Sequence, residues 1–358
     1  MVNLDDIIVL IPSLNPDNLL VKYVQGLHEG GINNILVVDD GSKEETKCYF
    51  EEIKKIDGVI VVTHAVNQGK GRALKTGFNY VLNEYKGDNK KIGVVTADSD
   101  GQHSIEDTIK CAKRLIETNA LVLGTRDFSQ KSVPFKSSFG NRTTTLVFKL
   151  LYGKWINDTQ TGLRGIPNEF MKDCMKLNGE RFEYEILMLI DATSRKIEIV
   201  EEGIETIYID SNRDTHFNAV KDSIRIYSVI FGTFFRFVMI SILSFLIDIG
   251  LFAFLSKIIL KNMKVATAVL IATIVARGIS SVFNYNMNKS VVFKSDKGSK
   301  RVFKYYALCG VQMFLSWLLI VVAYNKVNWD TTVLKLIVDT ILFLISYQIQ
   351  RIWIFKKA

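Results

Sequence analysis

Asp98 and Asp100 stand two residues apart in the run Thr96-Ala97-Asp98-Ser99-Asp100-Gly101-Gln102-His103. On extended backbone, residues i and i+2 point to the same side, so the two carboxylates converge. They repel unless a cation sits between them. A set of hard oxygen ligands favours Mg2+ or Mn2+, ions that commonly also hold substrate phosphates. A calcium loop of the EF-hand kind is excluded, because Ile109 falls where that loop needs a bidentate Glu. His103 is a lone His beside the pair, read as supporting or packing rather than ligating.

Two other runs end in polar signatures. Ile11-Pro12-Ser13-Leu14-Asn15-Pro16 follows one apolar stretch and Val37-Val38-Asp39-Asp40-Gly41-Ser42 closes another. In the second, one carboxylate can be aimed into a cleft; alternatively Ser42 simply caps a helix. Asn67-Gln68-Gly69-Lys70-Gly71 precedes a helical stretch and could meet a phosphate at the helix N-terminus, a weak signal alone. Neither a Gly-x-x-x-x-Gly-Lys-Ser/Thr loop nor a Gly-x-Ser-x-Gly elbow occurs, so a P-loop NTPase and an α/β hydrolase have no support.

The elements that must position these residues are legible. Short all-apolar runs at 7–11, 35–38, 59–62, 92–95 and 121–123 read as buried parallel strands. Helix-like stretches at 17–28, 43–55, 70–84 and 105–118 alternate with them. That alternation predicts an α/β fold with a mostly parallel, Rossmann-like sheet. Ligands of such sheets bind beyond the carboxyl ends of the strands, where the polar signatures lie.

The rest of the 358-residue chain is different in kind. Residues 229–358 hold 16 Lys+Arg against 4 Asp+Glu, while the preceding residues hold 29 against 33. The basic part is also the oily part, which excludes a nucleic-acid-binding domain and points to membrane spans flanked by positive loops. Four spans are expected at about 231–256, 265–287, 304–325 and 333–354, each near the ~20 residues that cross ~30 Å of hydrocarbon. Arg277 and Asp339 lie deep in their spans and are expected to face the bundle interior or a polar cavity. Lys289, Lys294, Lys297, Lys300, Arg301 and Lys304 cluster between the second and third spans, with Lys356 and Lys357 in the tail. That bias predicts both termini in the cytoplasm. No cleavable signal peptide is read at the N-terminus. Phe217, Val220, Ile224, Tyr227 and Phe231 fall at helical spacing, predicting an amphipathic interface helix over 214–230. Leu146, Val147, Leu150 and Leu151 offer a second stripe. Cys48, Cys111, Cys174 and Cys309 lack metal-site or disulfide spacing.

The combination of a strand-end Asp pair, a later Asp-x-Asp and terminal spans resembles the family 2 glycosyltransferases with a GT-A fold. More narrowly, it is similar to the polyprenyl-phosphate glycosyltransferases, the group that contains dolichol-phosphate mannose synthase. The resemblance covers about 5–225 through VVDDGS, NQGKGRALKTG, ADSDGQH, GTR at 124–126, NR at 141–142 and DTQTGLRG at 158–165. The oily part resembles the GtrA-like four-span family through VARGISSVFNYNMNKSVVF and SYQIQRIWIF. The implied organisation is a catalytic domain over 1–213, an interface link over 214–230 and a four-helix membrane domain over 231–358.

The resemblance implies roles. Pro12, Leu14, Val38, Asp40, Lys70, Ala97, Asp98 and Arg213 would surround the nucleotide sugar, with Asp40 on the base and Arg213 closing over the donor. Asp98, Asp100 and Gln102 would hold Mg2+ or Mn2+. Arg126 and Arg142 would receive the lipid phosphate, and Asp158 and Gln160 would line the acceptor side. The implied reaction is inverting transfer of a sugar from a UDP- or GDP-linked donor to a polyprenyl phosphate. The implied setting is a multi-pass plasma-membrane protein with a cytoplasmic catalytic domain, possible as a homo-oligomer. Moving the lipid-linked sugar across the bilayer is the alternative role for the spans; anchoring is preferred. Two departures surround the nucleotide: Leu14-Asn15-Pro16 replaces the usual Tyr-Asn-Glu, and Thr215-His216 replaces Ser-Lys.

Overall fold

A computed structural model describes residues 3–85, 93–128, 133, 135–207, 219–295, 300–327 and 329–355. The chain divides into two compact units, residues 1–230 and 231–358.

In the first unit, all five expected strands form: β1 (Ile7–Ser13), β2 (Ile35–Asp39), β3 (Val59–Thr63), β4 (Gly93–Thr96) and β5 (Leu121–Arg126). Two more were not anticipated, β6 (Arg164–Pro167) and β7 (Ile199–Ile204). The seven strands form one sheet in the order β3-β2-β1-β4-β6-β5-β7. Only β6 runs antiparallel, to β4 and to β5; the expected mostly parallel, GT-A-like sheet is therefore present. β6 escapes sequence reading because it has four residues, opens with Arg164 and ends with Pro167. β7 carries Glu201 and Glu202 and pairs only with β5, as a charged edge strand can.

The apolar runs are strands because both faces are covered. Ile7, Val9 and Ile11 pack with Leu20, Val24 and Leu27 of α1 (Asn18–Glu29) and with Cys111 and Leu115 of α4 (Ile105–Thr118). α2 (Lys47–Ile53) adds Phe50 and Ile53 to that core. α3 (Lys70–Glu84) lies against β1 closely enough that a Cβ on Gly77 would sit 2.3 Å from Leu10. α5 (Phe135–Tyr152), α6 (Asn168–Cys174) and α7 (Glu183–Arg195) complete the unit.

Of the expected interface helix over 214–230, residues 214–218, Phe217 included, lie outside the described residues; residues 219–230 open α8 (Ala219–Phe254), a single continuous helix. Within its first turns Asp222, Ile226 and Ile230 are buried, one helical turn apart, while Ile224 is exposed. The buried side meets α5: the Tyr227 hydroxyl lies 3.1 Å from Thr144 Oγ1, and Tyr152 Oη donates to Ile230 O at 2.8 Å.

In the second unit, α8 is followed by α9 (Val265–Met287), α10 (Lys300–Val327) and α11 (Thr331–Ile349). Among the described residues, four helical stretches are long and apolar enough to cross a membrane: Lys221–Ile259, Thr267–Val292, Arg301–Val327 and Val333–Ile354. Of the two settings expected for Arg277, the packed bundle interior is corrected: its side chain is 74% exposed. The buried face of α9 is Ala268, Ala272, Ala276 and Ser280, so position 277 is turned off that face. Its partner is Asp248 of α8, at 3.5 Å. Asp339 is likewise 43% exposed and paired with Lys335.

Candidate active site

The loops that leave β1 and β2 are clamped together. Ser42 Oγ accepts from Asn15 N at 2.9 Å, and Asn15 Oδ1 accepts from Lys43 N at 2.8 Å. Asn15 holds a left-handed backbone, φ 47°, which Asn tolerates better than most residues. Pro12 and Val38 are register partners in neighbouring strands. Both are buried, whereas Leu14 is half-buried in the loop beyond.

Asp40 is 3% exposed and fully engaged. Its Oδ1 lies 2.8 Å from His64 Nδ1 and accepts from Gln68 N at 2.9 Å, and its Oδ2 accepts from Gly69 N at 2.7 Å. The far nitrogen of His64 lies 2.8 Å from Thr76 Oγ1. Asp40 thus fixes the turn that delivers Lys70. Gly69 is required there: its φ is 102°, and a Cβ would sit 2.4 Å from Glu180 O.

Lys70 begins α3 and reaches across the strand ends. Its ammonium lies 2.7 Å from Asp98 Oδ1 and 3.0 Å from Glu185 Oε1. Burial alone would lower the Lys70 ammonium, but Asp98 and Glu185 outweigh it and hold it above its ordinary value. Burial would likewise raise the Asp98 carboxyl, yet Lys70 and His103 hold it below the usual carboxylate range. Ala97, just before it, is buried and donates its N–H to Leu10 O. Asp100 moves the other way. Loss of solvent, then the charge of Asp98, push its carboxyl up. Gln102 donates its backbone N–H to Asp100 Oδ1 at 3.0 Å.

These donors fit a divalent ion of the kind expected. Among the described residues, no three His, Cys, Asp or Glu side chains converge as a protein-only cage. Mg2+ and Mn2+ sites of one or two carboxylates are completed by water and substrate phosphates, and the repelling pair Asp98–Asp100 offers that. Space beside Asp98 is kept by Gly162, where a Cβ would lie 2.2 Å from Asp98 Oδ2.

A second charged group lies at the end of β5. Arg126 donates to Asp158 through Nε at 2.7 Å and Nη2 at 3.2 Å. The Asp158 side chain is fully buried, while that of Arg126 is 24% exposed. Asp158 therefore positions Arg126 rather than facing the cleft. Asn141 of α5 donates to Asn157 O, next to Asp158, and Arg142 follows it, exposed. The arginines at 126 and 142 thus sit on segments tied to the same loop. Gln160 contributes a backbone N–H to Asp158 Oδ1. Arg213 lies outside the described residues.

Three participants escaped the sequence reading. His64 braces Asp40, Glu185 is the second anion on Lys70, and Arg164 ties the site loop to α7. Arg164 is fully buried and donates to Thr161 O at 2.8 Å, Glu185 O at 2.6 Å and Thr159 O at 3.4 Å. Burial pulls its guanidinium below its ordinary value. The available signal for Glu185 was an acid inside the apolar stretch Tyr184–Leu189, and for Arg164 its place in DTQTGLRG.

The sequence pattern of Glycosyl transferase family 2 matches residues 8–172, and that of the GtrA/DPMS transmembrane domain matches residues 236–355. An uncharacterized protein of Methanocaldococcus jannaschii is 33% identical over 61% of this chain and 88% of its own length. The UDP-N-acetylglucosamine–dolichyl-phosphate N-acetylglucosaminyltransferase of Methanococcus voltae is 29% identical over 57% of this chain and 86% of its own. The polyprenol monophosphomannose synthase of Mycolicibacterium smegmatis is 25% identical over 55% and 76%. With its strand-end carboxylates in one matched region and its four apolar helices in the other, the chain belongs to glycosyl transferase family 2 and carries a GtrA/DPMS transmembrane domain.

Proposed function

We propose that the chain transfers a sugar from a UDP- or GDP-linked donor to a polyprenyl phosphate, inverting the anomeric carbon. The observation that carries this is the Arg126–Asp158 fork, at a loop that Asn141, the neighbour of Arg142, also holds, in a protein with four candidate spans among the described residues. The names of the relatives point the same way.

In this reading residues 1–213 are catalytic, 214–230 link them to the interface and 231–358 anchor the enzyme. Asp98 and Asp100, with Gln102 beside them, would hold Mg2+ or Mn2+, which neutralises charge on the leaving diphosphate. Lys70 sits against Asp98, where it can turn from that carboxylate to donor phosphate. Pro12, Leu14, Val38 and Ala97 shape the donor cleft, and Asp40 sets its floor by holding the 67–69 turn. Arg126, held in one orientation by Asp158, and Arg142 orient the acceptor phosphate. That phosphate is already anionic at neutral pH, so the displacement needs no general base.

The acceptor arrives from the bilayer. Phe139, Leu146 and Leu150 of α5 are 61%, 50% and 59% exposed at helical spacing, with Trp155 beyond them at 50%. Lys149 lies over the Trp155 ring, 5.0 Å from its centroid. An apolar stripe edged by Trp and Lys suits a membrane surface. The bias of Lys and Arg among the loops supports a cytoplasmic catalytic unit and cytoplasmic termini in the plasma membrane.

The test is transfer by the purified full chain. Labelled UDP- and GDP-sugars are incubated with polyprenyl phosphate and Mn2+ or Mg2+, and lipid extracts are resolved. One donor class gives a labelled lipid, lost on chelation and restored by the metal. Labelled sugar appearing only in water-soluble product would sink the assignment.

A further inference from the structure

Glu185 is a buried acid joined to Asp98 through a lysine. It lies in the first turn of α7, and its side chain is 9% exposed against 27% for Asp98. A carboxylate so enclosed needs a partner. Lys70 supplies one, its ammonium 3.0 Å from Glu185 Oε1 and 2.7 Å from Asp98 Oδ1. One lysine thus serves two carboxylates of unequal exposure, and Asp98 is the one more open to an ion arriving from solvent.

The backbone around Glu185 is fixed. Its carbonyl oxygen accepts from the fully buried Arg164 at 2.6 Å. The segment before it is pressed on the start of α3: Arg72 N donates to Glu180 O at 3.0 Å, and a Cβ on Gly71 would lie 2.6 Å from Tyr184 Cβ. The same segment gives Lys70 a second neighbour, the Phe182 ring, whose centroid lies 5.8 Å from the ammonium, within cation–π range. Lys70 itself carries its charge on a flexible four-carbon stem. The part free to move is therefore the lysine side chain, and Glu185 with Phe182 forms a standing seat for it.

With Lys70 on Asp98 Oδ1, a second cation on that carboxylate is repelled, and strongly so in a poorly hydrated cleft. Withdrawal of the ammonium into solvent would leave Glu185 buried and unpaired, which is costly. Withdrawal towards α7 avoids both penalties. The ammonium then keeps Glu185 and Phe182 and gives up Asp98 alone.

We propose that Glu185 is a positioning residue that retains the Lys70 ammonium when Asp98 turns to Mg2+ or Mn2+. Lys70 then neutralises Asp98 in the metal-free protein without barring the ion. The inference rests on Asp98 as a ligand of that ion and is independent of the sugar and the acceptor. Mn2+ binding to the full chain, without nucleotide, is read by electron paramagnetic resonance for the parent, Lys70→Met, Glu185→Gln and the double variant. Lys70→Met should bind Mn2+ about tenfold more tightly, because a competing charge is gone. Glu185→Gln should bind it about tenfold more weakly, and in the Lys70→Met background that loss should shrink to about twofold, because the two residues act as a pair. Lys70→Gln repeats the cycle should Lys70→Met not fold. Equal losses in both backgrounds would mean that Glu185 acts by its own charge, and a larger loss without Lys70 would mean that the ammonium leaves Glu185 as the ion binds. Unchanged affinity in Lys70→Met would mean that Lys70 does not compete. Each of these overturns the proposal and leaves the metal site standing. No Mn2+ bound by any of the four proteins would overturn it together with the metal assignment.

Discussion

The Lys70 ammonium lies between Asp98 and Glu185, 2.7 Å from one carboxylate and 3.0 Å from the other. One cation therefore joins the start of α3, the end of β4 and the first turn of α7. Removing it leaves two carboxylates facing each other in a poorly hydrated cleft. Lys70→Met should cost about 3 kcal/mol, the scale for breaking a buried ion pair. Urea unfolding with and without Mn2+ checks this. Mn2+ should recover part of the loss in the variant and change the parent less, because only the variant lacks a resident cation on Asp98. Equal stabilisation of both would mean that Asp98 does not meet the metal.

Asp100→Asn keeps shape and removes one of two convergent charges. Transfer should fall at least a hundredfold while the melting temperature holds or rises, since Asp98 no longer repels a neighbour. Near-normal turnover at saturating Mn2+ would remove Asp100 from the metal site.

Asp158 is the buried holder of Arg126, so its loss should be felt at the acceptor. Asp158→Asn cannot accept the forked pair with full charge. The KM for lipid phosphate should rise several-fold more than the KM for donor. Arg142→Lys should show the same split, because Lys keeps the charge but loses the fork. Steady-state kinetics in both substrates decides. A donor-specific defect would move these residues to the other side of the cleft.

Asp107, in the first turn of α4, gives a pH signature of the fold. Burial would raise its carboxyl, but Lys110, the Glu205 N–H and Ser104 outweigh that and hold it below its ordinary value. A depressed carboxyl stabilises the fold fully above its unfolded pKa, near ~4. That contribution is lost as pH falls through the lower folded value. Asp107→Asn should therefore destabilise the protein at pH 7 and match the parent at the acid end. Urea midpoints across pH 2–7 check it; a constant gap across the range would contradict the linkage.

Gly162→Ala tests the space beside Asp98. The added Cβ would overlap Asp98 Oδ2 at 2.2 Å, so carboxylate or loop must move. Mn2+ affinity, read by electron paramagnetic resonance, should weaken at least tenfold. Unchanged affinity would place the ion away from this carboxylate.

How much of this was legible depended on whether the signal was local. Parallel strands buried on both faces are written as unbroken apolar runs, so IIVLI and ILVV announced β1 and β2. The Asp98–Asp100 pair was visible as a motif, but not through alternation on extended backbone: β4 ends at Thr96 and Ser99 and Asp100 lie in a turn. Spans were evident because a helix crossing hydrocarbon must be apolar along most of its length. β6 was hidden: its Arg164 is stabilised by carbonyls of residues 159, 161 and 185, none inferable from a four-residue window. The same holds for roles. That Asp40 holds a turn, that Asp158 holds Arg126, and that Glu185 shares Lys70 are facts of which oxygen lies within 3 Å of which nitrogen. The depth of Arg277 was visible in the sequence, but its facing was fixed by packing of the Ala268–Ala272–Ala276 face. The sequence determined the first five strands, the apolar helices and the two-part build. The tertiary structure alone decided which charges meet, because pairing across chain separations of tens of residues depends on how the sheet is assembled.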